Sequence, residues 1–349
     1  MRVASEEELA EAIRSAAGPL RIRGGGTRPV GRPLAGEVLD LSGMAGIRLY
    51  EPGALTLVAG AGTPLAEVEA VLAAEAQRLA FEPADWRGLL GTEGGSTLGG
   101  IVAANVSGPR RVQAGACRDA LLGVRFVDGT GALVKNGGRV MKNVTGYDLV
   151  KLMAGSWGTL GVMSEVALRL LPAPAAVAVL CLGVEGAAAA GAAMTAALGS
   201  PHDVTGAAWL PGQGGLIRVE GLAQSVTYRA GRLGSLLAGH GPLQVERDPE
   251  ACAAIWRRVA EVAPFHGRAG DVWRISARPS VAPAIVAALG GEVMLDWGGG
   301  LIWALLPEGS DARARIAPFQ PEPPALAALS AGIRARFDPR GILNPGLMG

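Results

Sequence analysis

The sequence predicts an α+β protein with more than one lobe, and three observations support this fold class. The chain of 349 residues exceeds the usual size of one compact core, and 49% of its residues are hydrophobic, which is enough to fill several cores. Short strand-like runs alternate with helix-like runs in the first half. After Pro172 and Pro174 the pattern changes to longer strands and alanine-rich helices, which indicates a second lobe.

The first half is predicted to be rich in short strands. An amphipathic helix over residues 5–17 opens it, with Ser5 placed to cap the helix and Glu8 three residues further on. Pro64 lies in the first turn of a second helix over residues 64–74. The other predicted elements are strands over 20–23, 37–41, 47–50 and 54–59, a hairpin over 121–134, a helix over 147–153 and a strand over 162–171.

The second half is predicted to be a separate α+β lobe, followed by a C-terminal helix. Strands are predicted over 176–183, 204–210, 216–220, 272–276, 292–297 and 301–306, and helices over 186–198, 225–237, 249–262 and 281–289. A polar, proline-containing segment over 307–324 then precedes a last helix over 325–336 and the tail.

Composition excludes several classes of function. The net charge is +1 and no basic run is present, so we expect no nucleic-acid partner. The three cysteines and three histidines are dispersed without a Cys-x-x-Cys pair, which argues against a metal site. The acidic N-terminus is unlike a signal peptide, and Glu185 interrupts the longest apolar stretch, over 173–199. We therefore expect a cytoplasmic protein with no membrane-spanning segment, associated with a membrane surface only through partners.

Three glycine-rich loops are candidates for binding a nucleotide diphosphate. Consecutive glycines let backbone N–H groups approach an anion closely, and such loops lie at residues 23–27, 94–100 and 155–161. Because the chain has 53 glycines, a plain turn is an equally good interpretation of any single loop. No Gly-Lys dipeptide forms a Walker A loop, and residues 60–65 lack the third glycine of the dinucleotide fingerprint.

The ordered motifs of this chain resemble those of the vanillyl-alcohol-oxidase type of FAD-binding flavoproteins. The motifs are RGGGT, YEPGALTLVAGAGTPLAEVEAVL, GGSTLGGIVAANVSGPRR, VMKNVTGYDLVKLMAGSWGTLGVMSEV and, in the tail, FDPRGILNPG. Within this type, SGPRR and KNVTGYD resemble the FAD-binding E subunits of bacterial glycolate oxidases. The resemblance implies a PCMH-type two-lobed FAD-binding domain over 1–172 (lobes about 1–48 and 49–172), an α+β cap domain over 173–310, and a C-terminal segment over 311–349 that returns to the flavin.

The resemblance also implies which residues bind FAD. The backbone of residues 24–27 would cradle the pyrophosphate, residues of the second loop would pass the ribityl chain and isoalloxazine, Gly161 and Val162 would meet the adenine end, and Asn344 would lie near the flavin. The full predicted set is Arg23, Gly24, Gly25, Gly26, Thr27, Gly95, Ser96, Thr97, Gly99, Gly100, Asn105, Ser107, Gly108, Gly161, Val162 and Asn344. These loops contain no histidine or cysteine, so non-covalent FAD is predicted, with Cys117 a buried thiol.

Candidates for catalysis are fewer. Oxidation of a 2-hydroxy acid needs a cation to bind the carboxylate, and Arg274 in the cap is the candidate, with Arg110 and Arg111 available beside the second loop. A surface or interdomain ion pair is the alternative role for Arg274. Lys142 and Tyr147 could stabilise charge on reduced flavin, although helix capping and packing explain their segment equally well. The histidines all read as loop or surface residues, so no base is identified.

The predicted function is that of the FAD-binding subunit of a glycolate oxidase complex. The resemblance implies a larger FAD catalytic subunit and an iron–sulfur subunit as partners, and a small 2-hydroxy acid as substrate. Relatives carry a Gly-Gly-His-Ala-Thr-like element late in the cap, whereas this chain continues from residue 307 directly to its last helix. Two alternatives therefore stay open: an assembly subunit whose FAD is not catalytic, and a stand-alone FAD-dependent 2-hydroxy-acid dehydrogenase.

Overall fold

A computed structural model describes residues 1–31, 34–139, 146–310 and 322–348, and it contains three β-sheets. A two-stranded parallel sheet and a six-stranded antiparallel sheet come from the first 172 residues. A seven-stranded antiparallel sheet begins at residue 176. The α+β character expected from the sequence is therefore present in both halves of the chain.

The N-terminal lobe joins a capped helix to the two-stranded sheet and to the C-terminal tail. Helix α1 spans Glu6–Ser15, and Ser5 Oγ accepts a hydrogen bond from the Glu8 backbone N–H (3.1 Å) while Glu8 Oε2 accepts one from Ala4 N–H (2.8 Å). Strands β1 (Leu20–Arg23) and β2 (Glu37–Asp40) pair in parallel. Ile342 and Leu343 of the tail are buried in the same core as α1, so the two ends of the chain stabilise one lobe.

The second sheet has the order β3-β4-β8-β6-β7, with β5 also paired to β8. Its strands are β3 Ile47–Glu51, β4 Thr56–Gly60, β5 Gln77–Leu79, β6 Leu121–Val127, β7 Leu133–Gly137 and β8 Val162–Pro172. The helices of this part are α2 Leu65–Ala74, α3 Arg87–Leu90, α4 Leu98–Ala103, α5 Arg111–Ala114, α6 Cys117–Ala120 and α7 Leu149–Met153. Strand β5 and the short helices α3 to α6 were not predicted from the sequence, because they are only three to six residues long.

The third sheet has the order β12-β9-β11-β10-β14-β15-β13. Its strands are β9 Ala176–Leu182, β10 Val204–Leu210, β11 Gly214–Gly221, β12 Leu243–Glu246, β13 Asp271–Ser276, β14 Glu292–Asp296 and β15 Leu301–Leu306. The helices are α8 Ala187–Leu198, α9 Ala223–Leu237, α10 Pro249–Ala260 and α11 Ala282–Leu289, and α12 Pro324–Phe337 leads to the tail. Strand β12 was not predicted, because it is a four-residue edge strand with alternating polar residues.

The two faces of the third sheet differ. One face packs against α8, α9 and α11 in an apolar core. The opposite face packs on α10 and on residues of the first half of the chain such as Trp86 and Val112. Because side chains alternate along a strand, this second face also carries Arg218, Glu220 and Asp296 beside its apolar residues. Charged groups are therefore concentrated where the two halves of the protein meet.

Ion pairs join the halves across this interface. Arg218 donates to both carboxylate oxygens of Glu82, at 2.7 and 2.8 Å. Glu220 accepts from Arg110, which is fully buried, and from Arg78 at 2.7 Å. We call these five residues the paired interface cluster; all five side chains are partly or fully buried.

Candidate functional site

The glycine loops of the first half converge on one cavity of about 510 Å³. It lies between β1, the start of α4, the loop before β8 and the C-terminal tail, and a second cavity of about 440 Å³ adjoins it along residues 23–26. A volume of this order fits an extended small ligand. Of the predicted FAD-binding residues, the larger cavity is lined by Arg23, Gly24, Gly25, Gly26, Thr27, Thr97, Gly99, Gly100, Gly161, Val162 and Asn344.

The first loop leaves no room for side chains. A Cβ atom on Gly24 would overlap Thr97 Oγ1, one on Gly25 would overlap the Gly95 carbonyl, and Gly26 has a φ of +68°. The backbone N–H groups of residues 24–27 donate to no acceptor within the described residues. Four consecutive free donors beside a cavity form a cradle for an anion, as the fit of a diphosphate requires.

Arg28 adds a cation that the sequence reasoning missed. Its half-buried side chain lines the cavity and donates to the Ala84 carbonyl (2.6 Å) and to Ser96 Oγ (3.2 Å). Its Nε is buried without an acceptor in the described part of the chain. Burial lowers the pKa of Arg28 to about 10, so it stays positive at neutral pH. Its position directly after the first glycine loop was the only signal in the sequence.

The second loop begins helix α4 against the first loop. Thr97 caps this helix, because its Oγ1 accepts from the Gly100 N–H (3.4 Å). Gly99 donates to the Ala61 carbonyl at 2.7 Å, and a Cβ atom on Gly99 would collide with Ala61. Gly95 lines the adjoining cavity, and Ser96 bonds with Thr27 Oγ1 at 3.1 Å. The second loop therefore sets the shape of the first.

Asn105, Ser107 and Gly108 occupy a different position from the rest of the predicted set. They do not line the larger cavity. Asn105 Oδ1 accepts from the Arg118 N–H (3.0 Å), and Ser107 Oγ accepts from the Cys117 N–H (2.9 Å). Asn105 and Ser107 thus hold the segment after α4 against α6, and a flavin contact by Asn105, Ser107 or Gly108 remains a prediction.

Asn344 connects the tail to both glycine-lined walls. Its Oδ1 accepts from the Ile22 N–H and its Nδ2 donates to the Trp157 carbonyl, both at 2.8 Å. A φ of +44° at Asn344 is a conformation that asparagine tolerates better than most residues. Both amide atoms are used inside the protein, so Asn344 shapes the cavity by holding its walls together.

Arg23 lies at the shared wall of the two cavities. It donates to Asp40 Oδ2 at 2.7 Å. Burial alone would raise the pKa of Asp40, but hydrogen bonds from Arg23 and Ser42 outweigh it and hold the value at about 2. Asp40 is therefore ionised at neutral pH, and its charge is offset by Arg23.

Arg274 lies beside three tryptophans at the boundary between the halves, and the residue is exposed to solvent. Its Cζ is 5.2 Å from the ring centroid of Trp297, 5.7 Å from that of Trp303 and 5.9 Å from that of Trp86. The Arg111 guanidinium lies 4.4 Å from the same Trp297 ring. Partial desolvation by the surrounding protein atoms lowers the pKa of Arg274, and the Arg111 charge contributes. We call Arg111, Arg274 and these three tryptophans the arginine–tryptophan cluster.

The catalytic candidate Tyr147 is not part of this cluster. Tyr147 is 89% exposed and does not line the larger cavity. Asp148, next to it, caps helix α7 by accepting from the Lys151 N–H (3.0 Å), as the alternative interpretation of this segment proposed. Lys142 lies outside the described residues.

Asp296 is a titratable group that the sequence reasoning did not select. It is buried at the end of β14, and its Oδ1 accepts from the Trp297 N–H at 2.7 Å. Burial raises the pKa of Asp296 to about 7, with Glu82 adding to the rise and Arg218 and Arg274 opposing it. The sequence could not show this, because strands distant in the sequence create the burial.

The described lining of the larger cavity contains no histidine or cysteine. Cys117 is buried, and desolvation raises the pKa of its thiol well above the usual range.

Over the described ranges, no group of three or more His, Cys, Asp or Glu side chains is arranged to hold a metal ion. No helix among the described residues is long and apolar enough to cross a membrane.

Comparison with known proteins identifies the family. Residues 1–137 match the family described as FAD binding domain. Over 347 residues, the chain is 36% identical to glycolate oxidase subunit GlcE of Escherichia coli (strain K12), a match that covers 95% of this chain and 92% of that protein. The chain belongs to the GlcE family of glycolate oxidase subunits. It is also similar to glycolate oxidase subunit GlcD of Bacillus subtilis (strain 168), at 31% identity over 47% of this chain and 35% of GlcD.

Solved structures support the fold of this GlcE-family member. Alkyldihydroxyacetonephosphate synthase superposes with a TM-score of 0.72 at 16% identity, over 99% of this chain and 76% of that one. Physcomitrella patens BBE-like 1 superposes with a TM-score of 0.66 at 15% identity, over 100% of this chain and 90% of that one. The predicted PCMH-type α+β fold is therefore confirmed, as are the FAD-binding domain and membership of the FAD-linked oxidoreductases. The predicted domain boundaries and site residues stay predictions.

Proposed function

We propose that this chain is the FAD-binding subunit of a glycolate oxidase complex and takes part in the oxidation of glycolate to glyoxylate. The end-to-end match to the GlcE subunit is the observation that carries this proposal. A larger FAD subunit of the GlcD type and an iron–sulfur subunit are the proposed partners. The chain has only three cysteines, fewer than the four thiolates that an all-cysteine iron–sulfur cluster needs, so a partner must supply the cluster.

Residues of the glycine loops would hold the cofactor. Residues 24–28 line the larger cavity, and the backbone N–H groups of residues 24–27, which have no acceptor within the described residues, together with the charge of Arg28 suit the FAD diphosphate. Gly161, Val162 and the walls tied by Asn344 would enclose the rest. Bound FAD supplies a two-electron acceptor for the substrate. The protein contributes binding, orientation and exclusion of water.

The FAD is proposed to be non-covalent. The absence of histidine and cysteine from the described cavity lining supports this proposal. Acid precipitation of the purified protein should release all yellow colour into the supernatant. Flavin that stays with the pellet would contradict non-covalent binding.

Co-purification from the native source tests the assignment as a subunit. A tag on this chain should recover a flavoprotein of the GlcD type and a protein with an iron–sulfur absorption band, together with glycolate-dependent dye reduction. Recovery of the chain alone, with glycolate oxidation intact in the remaining lysate, would contradict the proposal. Anaerobic addition of glycolate to the isolated chain separates the alternatives, because an assembly subunit leaves its own flavin oxidised.

A further inference from the structure

We propose that Arg111 and Arg274 form a binding site for the carboxylate of the substrate, between the FAD-binding lobes and the cap sheet. The site would take a small 2-hydroxy carboxylate, so its identity as a substrate site rests on the proposed function. Arg111 comes from α5, the helix that follows α4, and Arg274 comes from edge strand β13 of the third sheet. Each half of the protein therefore supplies one cation.

Trp297 fixes the two guanidiniums relative to each other. Both stack on its ring, at 4.4 and 5.2 Å from the centroid, and its indole N–H donates to the Gly108 carbonyl at 3.0 Å. Gly108 lies in the segment that joins α4 to α5, so the same tryptophan ties the cations to that segment. Trp86 and Trp303 pack edge to face at a centroid distance of 5.5 Å and also lie beside Arg274.

Neither cation has an acceptor in the part of the chain that the structure describes. Within the described residues, the Arg111 and Arg274 guanidiniums make no hydrogen bond or ion pair, whereas Arg78, Arg110 and Arg218 of the same interface all pair with glutamates. The interdomain ion pair considered for Arg274 is therefore not formed by the described part of the chain. Two neighbouring cations without a counter-charge repel each other, and a bound anion relieves this.

The nearby carboxyl group does not neutralise them. Asp296 accepts from the Trp297 backbone N–H, and burial raises its pKa, so it carries less than a full negative charge at neutral pH. A planar carboxylate can accept two parallel N–H bonds from a guanidinium fork, and flat indole walls suit a small planar anion. This favours a carboxylate over tetrahedral phosphate.

Oxalate, a small carboxylate that cannot be oxidised at a C–H bond, is the probe for this site. Titration of the FAD-loaded chain, alone and in its complex, should quench tryptophan fluorescence because oxalate would lie beside three indoles. Isothermal calorimetry gives the dissociation constant independently. We expect R111Q and R274Q each to weaken oxalate binding at least tenfold and R274K to fall between R274Q and the wild type.

Arg268→Gln is the matched control, because Arg268 lies in the same half but pairs with exposed Glu292. It should bind oxalate like the wild type. The site is refuted if the wild type binds no oxalate, if phosphate binds as tightly as oxalate, or if the R111Q and R274K variants both keep wild-type affinity. If R274Q does not fold, the oxalate affinities of R111Q and R274K still test the site.

FAD content is measured separately by flavin absorbance in every variant. A wild type that binds oxalate but takes up no FAD would overturn the proposed function and leave the carboxylate site standing. A wild type that takes up FAD but binds no oxalate would overturn the carboxylate site and leave the proposed function standing.

Discussion

Two groups of arginines lie at one interface, and only one group has partners. In the paired interface cluster, Arg78, Arg110 and Arg218 share Glu82 and Glu220. In the arginine–tryptophan cluster, Arg111 and Arg274 contact aromatic rings and no carboxylate within the described residues. In the paired group, removal of one partner would leave a buried charge uncompensated, whereas Arg111 is only partly buried and Arg274 is exposed, so both are accessible to an incoming anion.

The largest effect is expected from breaking the paired cluster. Glu220 accepts from Arg78 and Arg110, and its replacement by Gln leaves buried cations without a counter-charge. We expect E220Q to lower the free energy of unfolding by about 3–5 kcal/mol, measured by urea denaturation. The control E292Q removes a carboxylate that pairs at the exposed surface and should change it by less than about 0.5 kcal/mol.

These two variants test directly whether the buried ion pairs stabilise the protein more than an exposed ion pair does. Equal effects of E220Q and E292Q would show that the buried cluster does not stabilise the interface.

The pH dependence of stability gives a second check on the paired interface cluster. Burial alone would raise the pKa of Glu220, but Arg218, Arg110 and Arg78 hold it at about 2. Its contribution is therefore present above the unfolded pKa near 4.5 and is lost as the pH falls toward 2.

Replacement of Asp296 should have the next largest effect on stability, and it should stabilise the protein where E220Q destabilises it. Because its folded pKa is about 7 and its unfolded pKa is 3.8, the folded state binds more protons between these values, and stability falls as the pH rises through this window. We expect D296N to match the wild type near pH 3, below both pKa values, and to exceed it at pH 8 by at most about 4 kcal/mol. Thermal unfolding at both pH values measures this. A D296N variant less stable than the wild type at pH 8 would show that ionised Asp296 stabilises the interface.

The unpaired cations should affect binding more than stability. R274Q leaves no carboxylate of the described residues without its partner, so its free energy of unfolding should stay within about 1 kcal/mol of the wild type. In the assembled enzyme, the same variant should raise the KM for glycolate at least tenfold if this chain binds the substrate. A large loss of stability with unchanged KM would assign Arg274 a structural role instead.

The smallest effect belongs to a region outside both clusters. Ser5 caps α1, and S5A should cost about 1 kcal/mol through loss of one hydrogen bond to the Glu8 N–H. FAD affinity should not change, since Ser5 is not at the cavity. Urea denaturation and flavin titration together measure both results; reduced FAD affinity would show that the N-terminal helix and the cavity are coupled.

Local signals in the sequence predicted much of the fold. The strands at Leu121–Val127, Val204–Leu210 and Leu301–Leu306 lie within their predicted bounds, because hydrophobic runs and turn residues define them locally. The edge strand Leu243–Glu246 and the short helices around the second loop were missed. Their stability comes from neighbours in the folded protein, which no local pattern shows.

The sequence predicted the candidate site only where the backbone itself forms the cavity wall. Glycine runs marked the loop at Gly24 and the wall at Gly161, since close approach requires glycine there. Arg28, Asp296 and Trp297 gave no such signal. Their roles come from burial and from partners more than 50 residues away in the chain, such as Ala84 for Arg28 and Gly108 for Trp297.

Binding of FAD to the purified chain tests the central claim most directly. The wild type, stripped of flavin, should take up one FAD per chain on titration. G25A should bind at least tenfold more weakly, because its Cβ would overlap the Gly95 carbonyl and move the N–H groups, whereas G53A, at an exposed turn with open space, should bind normally. Failure of the wild type to bind FAD, or equal affinities of G25A and the wild type, would contradict this account of the site.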